Sequence, residues 1–207
     1  MLINEITREE RQQVLEIAAT HSLYPFYATN RIQMKDEWMS NPQKYIKFLD
    51  KEVIRLLKKV QYYQQAGKKG RISFIIVSFL RSSAITEKYE LSMCASNELG
   101  FLDPFETEIY FDISFLMNTM EDDLEFYKRY IIEHMGYVEE WELQNIKEKY
   151  YGDYLKIVED FIKDFSFVFE DNELFNQIDR DDSVTILFTG YHDLGIVVRK
   201  TGEEVAQ

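Results

Sequence analysis

The stretch Glu-Thr-Glu-Ile-Tyr-Phe-Asp, residues 106–112, spaces three carboxylates along a short run of strand-forming residues. The period-two geometry of a strand puts Glu106, Glu108, Tyr110 and Asp112 on one face, with Thr107, Ile109, Phe111 and Ile113 on the other. Oxygen ligands arranged this way could hold Mg²⁺ or Mn²⁺, as phosphoryl-transfer and nuclease chemistry requires. The same pattern suits the solvent face of a half-buried strand, where acids discourage pairing with another chain. No lysine stands near enough to complete a nuclease-like set, so the spacing favours the second reading.

Proton-transfer chemistry has two further candidates. His192 sits beside Asp193 in Tyr191-His192-Asp193, at the tip of an expected hairpin, where an exposed imidazole with no fixed partner is the ordinary case. The aromatic run from His21 to Arg31 offers the stacking faces of Tyr24, Phe26 and Tyr27, with His21 and Arg31 as polar handles. It could line a pocket, or it could be a loop broken at Pro25 and laid over the core. His21, Tyr24, Arg31, Tyr191 and His192 are therefore the pocket candidates. No two of His21, His134 and His192 are close enough in sequence for a local metal pair, and H-E-x-x-H, G-x-S-x-G and G-x-G-x-x-G are all missing. Cys94 is the single cysteine, which rules out an intrachain disulfide and a cysteine-based zinc site. It reads as a small hydrophobe in a strand. Asp179-Arg180-Asp181-Asp182 reads as a solvated turn. No cofactor is expected.

Gly67-Lys68-Lys69-Gly70 superficially resembles a phosphate loop, but such a loop follows a strand and opens a helix. Here a helix precedes it and the strand Arg71–Phe79 follows. Gly67 is placed to stop the helix, and Lys68 and Lys69 suit the negative end of its dipole. The loop is punctuation.

That preceding helix is the most regular element. Asn41-Pro42 opens it, and it is expected to end near Ala66. Ile46, Leu49, Val53, Leu56, Leu57, Val60 and Tyr63 form one apolar stripe at about 100° per residue. Lys44, Lys47, Lys51, Arg55 and Lys58 repeat on the opposite side. Like charges three and four residues apart repel by a few tenths of a kcal/mol per pair. The ridge therefore calls for compensation, from within the chain or from a partner.

Other elements must position these residues. A capping box, Thr7 with Glu10, opens a first helix expected to end near Thr20. Strands are expected at Glu87–Ser96 and 106–113. Asn118 or Thr119 should open a helix stopped by Gly136. A long helix from about Val138 to Phe165 follows, its stripe running through Leu143, Ile146, Tyr150, Tyr154, Ile157, Val158, Phe161 and Phe165, with Gly152 as a possible kink. A short helix at Asn172–Ile178 precedes a C-terminal hairpin of Ser183–Thr189 and Leu194–Lys200. Without regular βαβ alternation, the order predicts an α+β fold. Several long amphipathic helices should pack on a mixed or mostly antiparallel sheet of about five strands. One domain, 1–207, is expected, with a weak sub-boundary at 102–104.

Of the 207 residues, 45% are hydrophobic and only 8 are glycine and 3 proline, which suits long regular elements around a large core. The net charge of −13 is uneven. Residues 1–81 hold 14 Lys/Arg against 8 Asp/Glu, or +6, and residues 82–207 hold 10 against 29, or −19. An acidic chain argues against nucleic acid as the partner, leaving only the basic ridge for that role. The N-terminus lacks an apolar signal run and no stretch is long enough to span a membrane, so a cytoplasmic protein is expected. The Ile-, Lys- and Tyr-rich, Pro-poor composition suits an AT-rich bacterial genome. The chain thus reads as a non-enzymatic protein-binding factor, an adaptor, inhibitor or immunity-type protein, that acts through a protein partner or self-association. The alternative is an enzyme or small-molecule binder with a site assembled from distant carboxylates.

Overall fold

A computed structural model describes residues 7–105, 107–190 and 195–202. The fold is α+β, with helices packed with a five-stranded mixed sheet. The chain divides into two compact units, one made of residues 1–36 and 115–157, the other of 37–114 and 158–207.

The sheet belongs to the second unit. Its strands are β1 (Ile72–Phe79), β2 (Glu90–Ser96), β3 (Thr107–Asp112), β4 (Arg180–Gly190) and β5 (Ile196–Lys200), in spatial order β3-β2-β1-β4-β5. β1 pairs antiparallel with β2, Ile76 opposite Cys94, and parallel with β4, Ile75 opposite Ile186. β5 returns antiparallel along β4, and a short helix, α3 (Ser83–Thr86), lies between β1 and β2 in the chain. A strand in the middle of a mixed sheet is covered on both faces, and Ile75, Ile76 and Val77 of β1 are accordingly buried. The Asp179–Asp182 segment is not a free turn: Arg180, Asp181 and Asp182 open β4, because Arg180 pairs with Ile72 across the parallel ladder.

Helix α2 (Pro42–Gln65) covers β2 and β3 through Leu49, Val53, Leu56, Leu57 and Val60, all fully buried. Asn41 and Pro42 open it as their types require, although the Asn41 side chain makes no cap bond. Gly67 ends it with φ at +66°, while the Lys68 N–H donates to the Tyr63 carbonyl at 2.9 Å. Lys69 departs from expectation. It turns inward, and its Nζ lies 2.5 Å from Asp103 Oδ2 and 2.6 Å from the Phe105 carbonyl. Both side chains are almost wholly buried, so Lys69 pairs with an internal acid and not with the helix dipole. Leu102-Asp103-Pro104 accordingly lies inside the second unit.

In the first unit, α1 (Arg8–Ser40) opens on the expected capping box: the Thr7 N–H donates to Glu10 Oε2 at 2.8 Å, and the Glu10 N–H to Thr7 Oγ1 at 3.2 Å. It does not stop at Thr20. Pro25 sits inside it, and the run from His21 to Arg31 is helix, not a covering loop. The reason is a buried stripe that continues through the proline: Leu15, Ala19, Leu23 and Tyr27 recur every fourth residue. Packing on that scale outweighs one missing backbone hydrogen bond. Val14 and Ile17, apolar like their neighbour Leu15, are instead 46% and 59% exposed.

Helix α4 (Asn118–Met135) ends where Gly136 takes φ of +82° and donates its N–H to the Ile132 carbonyl at 2.9 Å. Helix α5 (Glu140–Phe165) runs through Gly152 without interruption. Its buried residue near the start is Glu142, not Leu143, which is half-buried.

Candidate functional site

Two places on the molecule gather chemistry, one in each unit. In the first unit, Met120, Asp123, Tyr127 and Ile131 form the buried stripe of α4, so an acid occupies a core position. Asp123 Oδ2 accepts from Tyr150 Oη at 2.7 Å, Tyr154 Oη at 2.9 Å and Asn30 Nδ2 at 3.0 Å. Tyr154 Oη also lies 3.0 Å from Thr119 Oγ1. Among the described residues its donors are two hydroxyls and an amide, all uncharged. Burial pushes the Asp123 carboxyl above the usual aspartate range, against the pull of its three donors. Burial likewise raises the Tyr150 hydroxyl, and pushes Tyr154 up to about 12.

Beside this cluster is a groove of about 150 Å³. It is lined by the apolar Ala19, Leu23 and Ile146, the rings of Tyr24 and Tyr150, and the charged Glu16, Lys149 and Asp153. Lys149 Nζ is 2.6 Å from Glu16 Oε1. A lining that carries both signs of charge beside apolar and aromatic side chains could hold a small zwitterion. Asp123 itself allows a direct check. Asp123→Asn keeps one oxygen for the tyrosine hydroxyls and removes the buried charge. Because the folded pKa is raised, Asp123 contributes stability fully below the ordinary aspartate value of about 3.9 and loses it as pH rises through the folded value. Asp123→Asn is therefore expected to match or exceed the parent in urea denaturation at pH 7 and to lose that advantage near pH 3. Asp123→Ala should cost about 2–3 kcal/mol at both pH values, since it strands buried donors.

In the second unit, α2 presents its basic ridge. Lys44, Lys47, Lys51, Arg55 and Lys58 are all exposed. Part of the compensation is local. Glu37 pairs with Lys44 at 3.2 Å, and the buried Glu52 takes both Lys51, at 3.4 Å, and Arg55. The nearby Lys59, half-buried, donates to the Glu108 carbonyl at 2.7 Å, and Arg55 reaches the Tyr110 carbonyl at 3.4 Å. These two cations therefore cap carbonyls of β3, which is an edge strand. Lys47 and Lys58 pair with no carboxylate among the described residues.

The chain matches no family model, no curated protein and no solved structure.

The expected residues divide as follows. On β3, Glu108 and Asp112 share the outer face while Thr107, Ile109 and Phe111 are buried, as the alternation requires. Glu108 Oε2 accepts from Tyr110 Oη at 2.7 Å, and Asp112 Oδ1 accepts from the Ser114 N–H at 2.8 Å. Glu106 lies outside the described residues, and among those described no three His, Cys, Asp or Glu stand close enough to share a metal ion. Tyr191 and His192 also lie outside the described residues. His21, Tyr24 and Arg31 lie on α1, and only Tyr24 reaches the groove. Asp123 and Glu142 were not singled out by sequence, although each falls at core spacing: Asp123 between Met120 and Tyr127, Glu142 four residues before Ile146. A charged residue at such a position is the signal that would have found them.

Proposed function

We propose that the chain is a cytoplasmic, non-enzymatic protein-binding factor that docks the basic face of α2 on an acidic surface of a protein partner. One observation carries this reading: the ridge is exposed along the helix, and two of its five cations, Lys47 and Lys58, lack an internal carboxylate among the described residues. Exposed and uncompensated charge adds little to stability and repels its neighbours. It does speed association with a surface of opposite sign and select among partners. Nucleic acid fits less well, because the net charge of −13 opposes a phosphate backbone.

The test is capture of partners at low and high salt with the parent chain and with Lys47→Glu/Lys58→Glu. A partner retained at low salt by the parent, released at high salt and lost from the double variant is the expected result. Both side chains are solvent-facing, so the melting temperature should stay within about 2 °C. Identical capture by both chains would overturn the reading, and recovery of nucleic acid would replace it with the other.

A second reading rests on the groove beside Tyr150. A thermal-shift series with small zwitterions tests it, since occupancy at about 100 times the dissociation constant adds roughly 2.7 kcal/mol. Flat melting curves across amino acids and related zwitterions would remove it.

A further inference from the structure

Helix α1 is apolar on two opposite sides. One side, through Leu15, Ala19, Leu23 and Tyr27, is buried. The other carries Val14, Ile17, His21, Tyr24 and Ile32, and four of these are 46%, 59%, 60% and 64% exposed (Val14, Ile17, Tyr24 and Ile32). His21 is exposed as well. Val14, Ile17, His21, Tyr24 and Ala28 follow each other at steps of 3, 4, 3 and 4, the spacing of the seam positions of a coiled coil. The fourteen consecutive residues 17–30 contain no Asp, Glu, Lys or Arg, in a chain where 29% of residues are charged. An exposed helix face so depleted of charge is what the centre of an interface looks like.

We infer that this face of α1 pairs antiparallel with the same face of a second copy. Two chains of charge −13 repel over most of their surfaces, and they can approach where neither carries charge. A two-fold contact centred near His21 sets Val14 against Ala28, Ile17 against Tyr24 and His21 against His21 of the second copy, in both directions, as an isologous interface requires. The ends of the seam fix the orientation. Glu10 lies one seam position before Val14, and Arg31 one after Ala28. An antiparallel pairing brings each Glu10 toward the other copy's Arg31. A parallel pairing would set Glu10 against Glu10 and Arg31 against Arg31, which is repulsive. The seam from Val14 to Ala28 spans roughly 22 Å at 1.5 Å per residue, enough to bury four apolar layers. This inference stands apart from the ridge on α2.

Sedimentation equilibrium of the full chain over a wide concentration range tests it. The parent is expected to reach twice the chain mass. Ile17→Glu should raise the dissociation constant at least about tenfold, because it drives a charge into the seam. His21→Leu should lower it, since a polar residue at a seam position costs stability. Arg31→Glu should raise it by facing Glu10 with a like charge, and Ile85→Glu, in the other unit, should leave it unchanged. A tighter constant in His21→Leu, with the species still no larger than a dimer and the melting transition unchanged, cannot come from misfolding, so it keeps the test decisive should Ile17→Glu fail to fold. A chain that stays monomeric at all concentrations would overturn the inference. So would a dimer indifferent to Ile17→Glu and His21→Leu, or one lost in Lys47→Glu/Lys58→Glu. An unchanged constant in Arg31→Glu would overturn the antiparallel arrangement.

Discussion

Lys69→Ala is expected to destabilise the chain by about 3–5 kcal/mol, among the largest effects of any single substitution. The lysine side chain is fully buried and Asp103 retains 4% exposure, so removing the ammonium strands a carboxylate in the core. Asp103 keeps two backbone donors, Asn97 N–H and Phe105 N–H, each at 2.9 Å. Those bonds soften the loss without replacing the charge. Burial on its own would raise the Asp103 pKa, but Lys69 and the two N–H groups outweigh it, and the carboxyl titrates below the usual aspartate range. The sign follows: this contribution is present above about pH 3.9 and disappears as pH falls through the lower folded value. Urea denaturation at pH 7 should therefore show the full deficit in Lys69→Ala, and Lys69→Met/Asp103→Asn should recover part of it, because the amide oxygen still accepts from a backbone N–H. Equal stability of the parent and Lys69→Ala would mean that the pair is not buried.

The second large effect concerns Arg11, in the other unit. Its Nε lies 2.7 Å and its Nη2 3.2 Å from the two oxygens of Glu142, whose side chain is 1% exposed. The guanidinium also lies 4.1 Å above the ring of Tyr137 and donates to that residue's carbonyl at 2.8 Å. Burial would raise Glu142, yet the Arg11 fork and the Glu139 N–H hold it below the ordinary glutamate range. Arg11→Ala is expected to cost about 3 kcal/mol or more, measured by the denaturation midpoint at neutral pH. Arg11→Lys should recover less than half, because an ammonium cannot engage both oxygens in one plane or lie flat on the tyrosine. Since Glu142 is depressed, the deficit should shrink as pH falls below about 4.3 and both chains protonate that carboxyl. A deficit independent of pH would point to lost packing of the arginine stem instead.

These two pairs also show where sequence reading stops. Helix α2 was legible because its apolar and basic residues fall on opposite sides of one cylinder, and the strands were legible because β-branched runs alternate between Gly and Pro punctuation. Helix α1 was not. Its apolar residues lie on two opposing faces, so no single stripe stands out, and Pro25 reads as a stop although the packing around Leu23 and Tyr27 carries the helix through it. Lys69 and Asp103 are 34 positions apart, as are many pairs of opposite charge, and nothing local marks one pair as buried. Asp123 is a different case. Its place in the stripe with Met120 and Tyr127 was visible, but an acid close to the start of a helix has an ordinary explanation in the helix dipole. What distinguishes it is the arrival of Tyr150, Tyr154 and Asn30 from other helices, which only the fold supplies. The carboxylates of β3 were placed on the correct face, and the local bonds of Glu108 and Asp112 suit the solvent face of an edge strand.

On the proposed function, the α2 ridge serves association and not folding. The most direct measurement is the association rate of the captured partner as a function of ionic strength, with the parent chain and with Lys47→Glu/Lys58→Glu. Steering by exposed charge predicts a parent rate that falls steeply with added salt and a double variant slower by roughly tenfold at low salt, the two converging at high salt. Dissociation rates should differ far less, and the melting temperatures should coincide. A double variant that associates as fast as the parent at low salt, or that unfolds several degrees lower, would contradict the account.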